Sequence, residues 1–162
     1  ELYSCDIYEQ RAKLIDDGAK RLGLSCIKAK TNDASKINHD FPLADVVLCD
    51  VPCSGLGIIG KKPEIKYKNL DEIKELIPIQ KEILSVSSQY VKKGGRLVYS
   101  TCSVNPNENR KVCDAFLKEN SDFKSVKVLP HIERTIDEGD YLTLMTHKNN
   151  CDGFFIALFE RK

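Results

Sequence analysis

Two cysteines follow apolar segments of this sequence in the same way, and both could take part in chemistry. Asp50 comes after the apolar segment 46–48, and Cys53 lies in the turn behind it. Cys102 follows a second apolar segment, 96–99. An ionised thiol is a nucleophile, and a nearby carboxylate can transfer protons. If both segments are buried strands, the sequence predicts a site built from two thiols and one carboxylate at the strand ends.

The elements that must position these residues alternate between strand and helix. The predicted strands are residues 2–5, 26–29, 41–50, 96–99, 125–129, 141–145 and 154–159. Helical periodicity covers 12–22 and 69–93, and a third helix is predicted from residue 105. This order is typical of an α/β sheet with helices on both faces, which carries its chemistry at the carboxyl ends of the strands. The last two strands are expected to form an antiparallel hairpin.

Several residues indicate where the helices begin and end. Pro78 is expected to kink the second helix or divide it in two, and the glycines at 94–95 are expected to end it. Asn105 is predicted to cap the third helix, with Pro106 in its first position and Glu108 in its third.

Composition limits the class of protein. The 162 residues contain 25 Lys and Arg against 24 Asp and Glu, a net charge of +1, which neither requires a nucleic acid partner nor excludes one. The seven cysteines show no paired spacing, and the sequence contains neither a signal peptide nor an apolar run of membrane-spanning length. These features predict a reduced, soluble, cytoplasmic protein.

Each candidate residue also has an ordinary structural interpretation. Asp6 follows a predicted strand, where it could accept hydrogen bonds from a nucleotide ribose or simply cap the next helix. Asp33 lies in a polar loop, where aspartate is usually a turn residue. Asp50 could likewise form a turn, and Cys53 and Cys102 could be small buried residues. The residue types alone leave these alternatives open.

A basic segment follows the Cys53 turn directly. It contains Lys61, Lys62, Lys66 and Lys68, with Tyr67 among them. Such a segment is usually a solvated loop, but beside a site that modifies a base these lysines become candidate phosphate contacts.

A zinc site is a weaker alternative. Cys49 and Cys53 have a ligand-like spacing, and Cys102, His131 and His147 could complete a set of ligands. Side chains alternate along a strand, so Cys49 should face away from the predicted site. The sequence also lacks a CxxC pair, and we therefore predict no metal.

Six short motifs carry a resemblance to a known family. They are Asp-Val-Pro-Cys-Ser-Gly at 50–55, Lys-Pro-Glu-Ile-Lys-Tyr at 62–67, Gln-Lys-Glu-Ile-Leu at 80–84, Ser-Thr-Cys-Ser at 100–103, Pro-Asn-Glu-Asn at 106–109 and Asp-Gly-Phe-Phe at 152–155. The motifs occur in this order and extend over nearly the whole chain. With them, the sequence resembles the ribosomal RNA cytosine-5 methyltransferases of the RsmB/Sun type.

The resemblance implies a fold, a cofactor and residue roles. The fold is the Rossmann-like fold of S-adenosylmethionine-dependent methyltransferases, a mostly parallel sheet with an antiparallel last strand. Cys102 is then the nucleophile, Cys53 assists product release, and Asp50 lines the cofactor and base pocket. Asp6 is the acid at the cofactor ribose, and Asp33 lies near its adenine. The implied substrate is a single-stranded or flipped cytosine in ribosomal RNA, of the small subunit, with Lys61, Lys62 and Lys66 as RNA contacts.

Departures from the family pattern shape the expected domain organisation. We expect residues 1–162 to be part of one catalytic domain, with the first strand, the Gly-rich cofactor loop and an RNA-binding region placed before Glu1. Gly60 stands where a basic residue is expected, and Val51 where Ala is usual. Residues 1–162 alone are expected to bind cofactor weakly and to be inactive.

Two alternative functions remain open. One is a DNA cytosine-5 methyltransferase that uses Cys53 as nucleophile, and the other is a non-catalytic RNA-binding or assembly factor.

Overall fold

A computed structural model of the protein describes residues 1–129 and 139–162. They form two compact units, Glu1–Asp40 and Phe41–Lys162. The strands are β1 (Leu2–Asp6), β2 (Ile27–Thr31), β3 (Ala44–Asp50), β4 (Val91–Thr101), β5 (Phe123–Val126), β6 (Leu142–Leu144) and β7 (Phe154–Arg161), and the α-helices are α1 (Glu9–Arg21), α2 (Leu70–Ser88), α3 (Arg110–Glu119) and α4 (Thr146–Asn149). Within these ranges, no helix combines the length and the apolar character needed to cross a bilayer.

The first unit is a strand, a helix and a second strand. β1 and β2 pair in parallel, from Leu2 opposite Ile27 to Asp6 opposite Thr31. α1 connects them and buries Ala12 on its apolar face, as the spacing of small and apolar residues predicts. Gly23 then adopts φ +69°, the left-handed conformation that commonly follows a helix end.

The second unit contains a mixed sheet in the order β3-β4-β7-β5. β3 and β4 run parallel, whereas β7 runs antiparallel to β4, β5 and β6. The predicted α/β fold, with a mostly parallel sheet and an antiparallel last strand, is therefore confirmed. The predicted hairpin is confirmed as well, because β6 pairs with β7.

The core of this unit holds β4 in place. Its fully buried side chains include Leu84 from α2, Leu97 and Tyr99 from β4, and Phe155 and Phe159 from β7. Burying a side chain of this size stabilises the fold by about 1.5–3 kcal/mol. The strand that leads to Cys102 is thus fixed from both sides before it reaches the site.

The end of α2 differs from the prediction. The helix ends at Ser88 rather than at 93, and the glycines at 94–95 lie inside β4. Val91 is fully buried and already pairs with the sheet, so the strand has to begin before the glycines. Pro78 lies within α2, which continues as a single helix and is not divided.

The start of α3 also differs from the prediction. The helix begins at Arg110, and the Asn105 side chain accepts a hydrogen bond from the amide of Asn107, at 3.1 Å, which lies in the turn before the helix. Glu108 and Asn109 are almost completely buried, with 0% and 1% of their surfaces exposed. Their side chains bond to the loops of the site described below, so Glu108 is not the third residue of a capped helix.

Candidate active site

The carboxyl ends of β3 and β4 bring the two predicted thiols together. The strands stay in register up to Asp50, which lies opposite Ser100, and the next amide along, that of Val51, donates to the Ser100 carbonyl at 3.2 Å. Beyond this point the chains turn, and the sulfur of Cys53 lies 3.0 Å from the sulfur of Cys102. Both thiols are half-buried and free.

Asp50 presents an accessible carboxylate at the same edge of the sheet. Its side chain is exposed, and its Oδ1 accepts a hydrogen bond from the Ser100 hydroxyl at 3.1 Å. A carboxylate has about four lone-pair positions, so this bond orients the group and leaves acceptor sites for a ligand.

The two thiols differ in their surroundings. Burial, reinforced by the hydrogen bond with Cys102, raises the pKa of Cys53 to about 12. Cys53 therefore keeps its proton at neutral pH, and its S–H can donate to the Cys102 sulfur. This arrangement disfavours negative charge on Cys53.

A buried carboxylate connects the turns that carry the two thiols. Glu108 accepts hydrogen bonds from the Ser54 amide at 2.7 Å and from the Ser54 hydroxyl at 2.6 Å. It also accepts one from the Ser103 hydroxyl at 2.7 Å and one from the Gln80 amide nitrogen at 3.1 Å. Ser54, Gln80, Ser103 and Glu108 are all 0% exposed. We call these four residues the carboxylate cluster.

This role of Glu108 was not among the predictions, although the sequence contains a signal for it. Each cysteine of the pair is followed directly by a serine, Ser54 after Cys53 and Ser103 after Cys102. The two hydroxyl oxygens lie 3.0 Å apart. Two buried hydroxyls this close together cannot both be satisfied by each other as donors, so at least one needs a further acceptor, which Glu108 provides to both.

The charge on Glu108 should make stability depend on pH. Burial alone would raise its pKa, but the hydrogen bonds from Ser54 and Ser103 outweigh that effect and hold the pKa below 4.5. The folded-state pKa thus lies below the unfolded value, so the stabilisation is complete above about pH 4.5 and is lost as the pH falls through the folded-state pKa. Glu108→Gln cannot ionise. We therefore expect the free energy of unfolding of this variant to be about 1–3 kcal/mol lower than that of the unmodified protein at neutral pH. The difference between the two proteins should become smaller as the pH falls.

Urea denaturation at pH 7 and at a series of lower pH values measures this difference in the free energy of unfolding. Glu119→Gln is the matched control, because Glu119 is an exposed residue at the end of α3. A difference in unfolding free energy that does not change with pH would contradict the assignment of a stabilising charge to Glu108.

The loop after the Cys53 turn is attached to the Cys102 segment by backbone contacts. The Gly57 amide donates to the Cys102 carbonyl at 2.9 Å, and the Gly153 amide donates to the Gly57 carbonyl at 2.8 Å. A methyl group on Gly57 would lie 2.0 Å from the Gly153 oxygen. Only glycine fits here, so this contact ties the segments at 57, 102 and 153 together.

Gly57 and Gly60 make a matched pair for testing this contact. Gly57→Ala should lower the free energy of unfolding by about 1–3 kcal/mol or more, because the obstructing atoms belong to the backbone. A methyl group on Gly60 would meet nothing within 4 Å, and Gly60→Ala should change stability by less than about 0.5 kcal/mol. Chemical denaturation of both variants measures the difference, and equal stabilities would be inconsistent with the close approach.

The predicted RNA-contacting lysines lie on this loop but differ in their partners. Lys61 forms an ion pair with Asp152 at 2.6 Å, whereas Lys62 and Lys66 are exposed. Lys68 donates to the Ser54 carbonyl at 2.9 Å and so fixes the loop to the thiol turn. Tyr67 between them is 89% exposed. The exposed ammonium groups of Lys62 and Lys66 are thus available to a polyanion.

The zinc alternative gains no support from the described residues. Cys49 is buried on the opposite face from Asp50, and burial raises its pKa to about 12. His131 lies outside the described residues. Among residues 1–129 and 139–162, no three His, Cys, Asp or Glu side chains come together as a metal site requires.

With this geometry established, comparison with known proteins identifies the family. The family described as "16S rRNA methyltransferase RsmB/F" matches residues 1–160. The chain belongs to the RsmB/F family. The "Probable ribosomal RNA small subunit methyltransferase B" of Bacillus subtilis (strain 168) is 41% identical over 98% of the chain. The chain spans 37% of the length of that relative.

Solved structures agree with the family assignment. The crystal structure of PH0851 is 35% identical to this RsmB/F chain, with a TM-score of 0.91 over 99% of the chain and 37% of PH0851. The structure of NSun6 from Pyrococcus horikoshii with SFG is 27% identical, with a TM-score of 0.86 over 99% of this chain and 41% of NSun6. The fold is thus the Rossmann-like fold of S-adenosylmethionine-dependent methyltransferases.

The first unit carries the aspartates that the family resemblance associates with the cofactor. Asp6 ends β1, and its Oδ1 accepts a hydrogen bond from the Tyr8 amide at 2.9 Å. Its other oxygen lies 3.8 Å from the Arg11 guanidinium, too far for a hydrogen bond. This oxygen therefore fits a ribose hydroxyl. The alternative that Asp6 caps α1 is wrong, because the N-cap residue is Tyr8; the bond to the Tyr8 amide instead fixes the turn before the helix.

Asp33 fits a ligand less well. It follows β2, and its carboxylate accepts hydrogen bonds from the Ser35 hydroxyl at 2.7 Å and the Ser35 amide at 3.1 Å. Lys36 lies 3.0 Å from its second oxygen. The Ser35 and Lys36 contacts lower the pKa of Asp33 to about 2. The turn interpretation of Asp33 thus accounts for the bonds of both oxygens.

Proposed function

We propose that the protein methylates carbon 5 of a cytosine in small-subunit ribosomal RNA, with S-adenosylmethionine as the methyl donor. The observation that carries the proposal is the 3.0 Å separation of the Cys53 and Cys102 sulfurs, beyond Asp50 on the same pair of strand ends. Membership of the RsmB/F family supports the ribosomal RNA substrate.

The need for a thiol nucleophile follows from the chemistry of the base. Carbon 5 of cytosine is too weak a nucleophile to take a methyl group directly. The Cys102 thiol gives up its proton to solvent, and its sulfur adds to carbon 6, forming a carbon–sulfur bond as the double bond between carbons 5 and 6 opens. Asp50 enters this step carrying a proton taken from solvent, donates it to the ring nitrogen on which charge develops, and takes it back when the product leaves. Carbon 5 then becomes electron-rich, and S-adenosylmethionine, when bound, supplies the electrophilic methyl group.

Cys53 has a role in releasing the product. After methylation, the proton on carbon 5 leaves to water, the double bond between carbons 5 and 6 re-forms, and the carbon–sulfur bond to Cys102 breaks. The electron pair of that bond returns to the Cys102 sulfur. The Cys53 thiol, 3.0 Å away and still protonated because its pKa is about 12, donates a hydrogen bond to the departing sulfur.

This assignment disfavours the DNA-type alternative. There the thiol of the Pro-Cys turn attacks the base, but burial raises the pKa of Cys53 and works against its ionisation. A non-catalytic RNA-binding factor would need neither thiol. We therefore assign attack on the base to Cys102.

We further propose that Lys62 and Lys66 contact RNA phosphates. Replacing both by alanine should weaken RNA binding and lower the slope of log affinity against log salt by about 0.7 for each lost contact with single-stranded RNA. Lys61→Ala should have a smaller effect, because Lys61 is already paired with Asp152.

Filter binding at a series of salt concentrations measures this slope. The matched control replaces Lys111 and Lys118, which are exposed on α3. An unchanged slope in the Lys62 and Lys66 double variant would show that the loop does not contact RNA phosphates.

The identity of the methylated atom can be tested on the product. The full-length protein that carries this sequence would be incubated with small-subunit ribosomal RNA and S-adenosylmethionine bearing a labelled methyl group. Digestion to nucleosides and mass spectrometry should place the label in 5-methylcytidine. Label in another nucleoside, or no label although cofactor and RNA both bind, would refute the proposal.

A further inference from the structure

We propose that Glu108 is a positioning residue that sets the distance between the Cys53 and Cys102 sulfurs. This inference rests on the proposed function for its catalytic consequence, but the geometric part stands on the structure alone. Glu108 makes no described contact with either sulfur, so it acts through the residues that follow the two cysteines.

The contacts of the carboxylate support this role. The hydroxyls of Ser54 and Ser103 both donate to Oε2 of Glu108, at 2.6 and 2.7 Å. The Ser54 amide donates to Oε1 at 2.7 Å and fixes the backbone directly after Cys53. One rigid group thus holds the next residue of both thiol turns, and hydrogen bonds to an ionised group are shorter and stronger than neutral ones.

Gln80 of α2 extends the same restraint to the residue before Cys53. Its amide nitrogen donates to the Pro52 carbonyl at 2.9 Å and to Glu108 at 3.1 Å. Both neighbours are acceptors, which determines the orientation of the amide group. Among the described residues, Oε1 of Gln80 is the buried side-chain nitrogen or oxygen atom without a hydrogen-bond partner. Burying that oxygen has a cost, which the two donated bonds must offset.

The restraint acts where the sheet no longer does. Pairing of β3 with β4 ends at Asp50 opposite Ser100, and the Val51 amide adds one more backbone bond, to the Ser100 carbonyl. Both cysteines lie beyond that point. There the Gly57 amide holds the Cys102 carbonyl at 2.9 Å, and the carboxylate cluster acts together with that contact. A misplacement of about 1 Å in a reacting group can slow an enzyme by up to about 10²-fold. The catalytic benefit of the carboxylate cluster is therefore precise placement of the thiols.

The variants separate positioning from stability. Glu108→Ala removes every bond of the carboxylate, whereas Glu108→Gln keeps its shape and one acceptor oxygen. Glu119→Gln is the exposed control. Phe123→Leu is a control for stability, because Phe123 is buried in β5 and bonds to neither thiol turn. Circular dichroism and thermal unfolding would establish the temperature at which every variant is folded.

The first readout is formation of a Cys53–Cys102 disulfide in the full-length protein. Diamide takes up two electrons and the two thiol protons as the sulfur–sulfur bond forms, and peptide mapping quantifies the bond over time. We expect Glu108→Ala to form it about tenfold more slowly than the unmodified protein, and Glu108→Gln about threefold more slowly. Both controls should stay within about twofold. Wild-type rates in both Glu108 variants, or equal slowing in folded Phe123→Leu, would overturn the proposal.

The second readout is methyl transfer. Glu108→Gln should lower kcat with little change in the KM for RNA, because RNA binding does not depend on the sulfur separation. A rise in KM with unchanged kcat would contradict positioning of the thiols. The disulfide rates do not require methylation, so a protein that methylates nothing but shows the expected disulfide rates would refute the proposed function and leave the role of Glu108 supported.

Discussion

Replacing Cys102 by alanine is expected to lower the rate of methyl transfer by a factor on the order of 10⁴ or more, because it removes the sulfur that bonds to carbon 6, and the raised pKa of Cys53 makes that thiol a poor replacement. Cys53→Ala should also be strongly impaired, but at a later step. Without the thiol 3.0 Å from Cys102, release is slow, and the protein should remain covalently attached to ordinary RNA. Single-turnover kinetics and denaturing gels distinguish the two defects.

Cys151→Ala is the control for this pair, because Cys151 is an exposed free thiol. It should retain the unmodified rate and accumulate no adduct. If Cys53→Ala lost the adduct while Cys102→Ala kept it, the roles of the two thiols would have to be exchanged.

The second large effect is expected at Asp50. Asp50→Asn keeps an oxygen that can accept the hydrogen bond from Ser100 but removes the charge and the ability to carry a proton. Loss of general acid–base assistance slows enzymatic reactions by about 10²–10⁴-fold, and we expect a decrease in kcat in this range.

Separate measurements distinguish the two roles considered for Asp50. A decrease in kcat with unchanged affinity for S-adenosylmethionine indicates assistance at the base, whereas weaker cofactor binding with unchanged kcat would assign the residue to the cofactor alone. Asp45→Asn on the same strand is the control. Asp45 forms a surface ion pair with Lys92 and is 85% exposed, so its loss should have little effect on either quantity.

The meeting of the two thiols was predictable from the sequence because it depends on the sheet. Neighbouring apolar strands that run parallel end at the same edge, so residues placed after 46–48 and 96–99 approach one another. The expectation that segment 46–48 is buried is wrong for one face of β3, where Val46 and Leu48 are 61% and 66% exposed, but the pairing with β4 alone brings the strand ends together. The antiparallel last strand was predicted from the family resemblance, and the antiparallel pairing of β7 with β4 confirms it.

The role of Glu108 could not be predicted by local rules. An acid two residues after a proline is a common start of a helix, and that preference is worth about 1 kcal/mol or less. Buried hydroxyls at Ser54 and Ser103 without an acceptor would cost more, about 1–3 kcal/mol each. The tertiary contacts therefore override the local preference, and α3 begins at Arg110 instead.

The end of α2 was mispredicted for a similar reason. Glycines at 94–95 are typical of a helix end, but Gly95 lies so close to neighbouring carbonyls that a methyl group would meet the Asp45 oxygen at 3.0 Å. Here the glycine is required by a close approach of β4 to β3. Only the sheet register reveals that requirement, and a single sequence does not specify it.

Mapping the covalent adduct tests the central claim most directly. The full-length protein would be incubated with S-adenosylmethionine and RNA containing 5-azacytidine, whose ring nitrogen at position 5 carries no proton to lose and so traps the enzyme. Denaturing electrophoresis and peptide mapping then identify the attached residue. We predict attachment at Cys102, absent in Cys102→Ala and retained in Cys53→Ala. Attachment at Cys53, or no adduct although RNA and cofactor bind, would contradict the account.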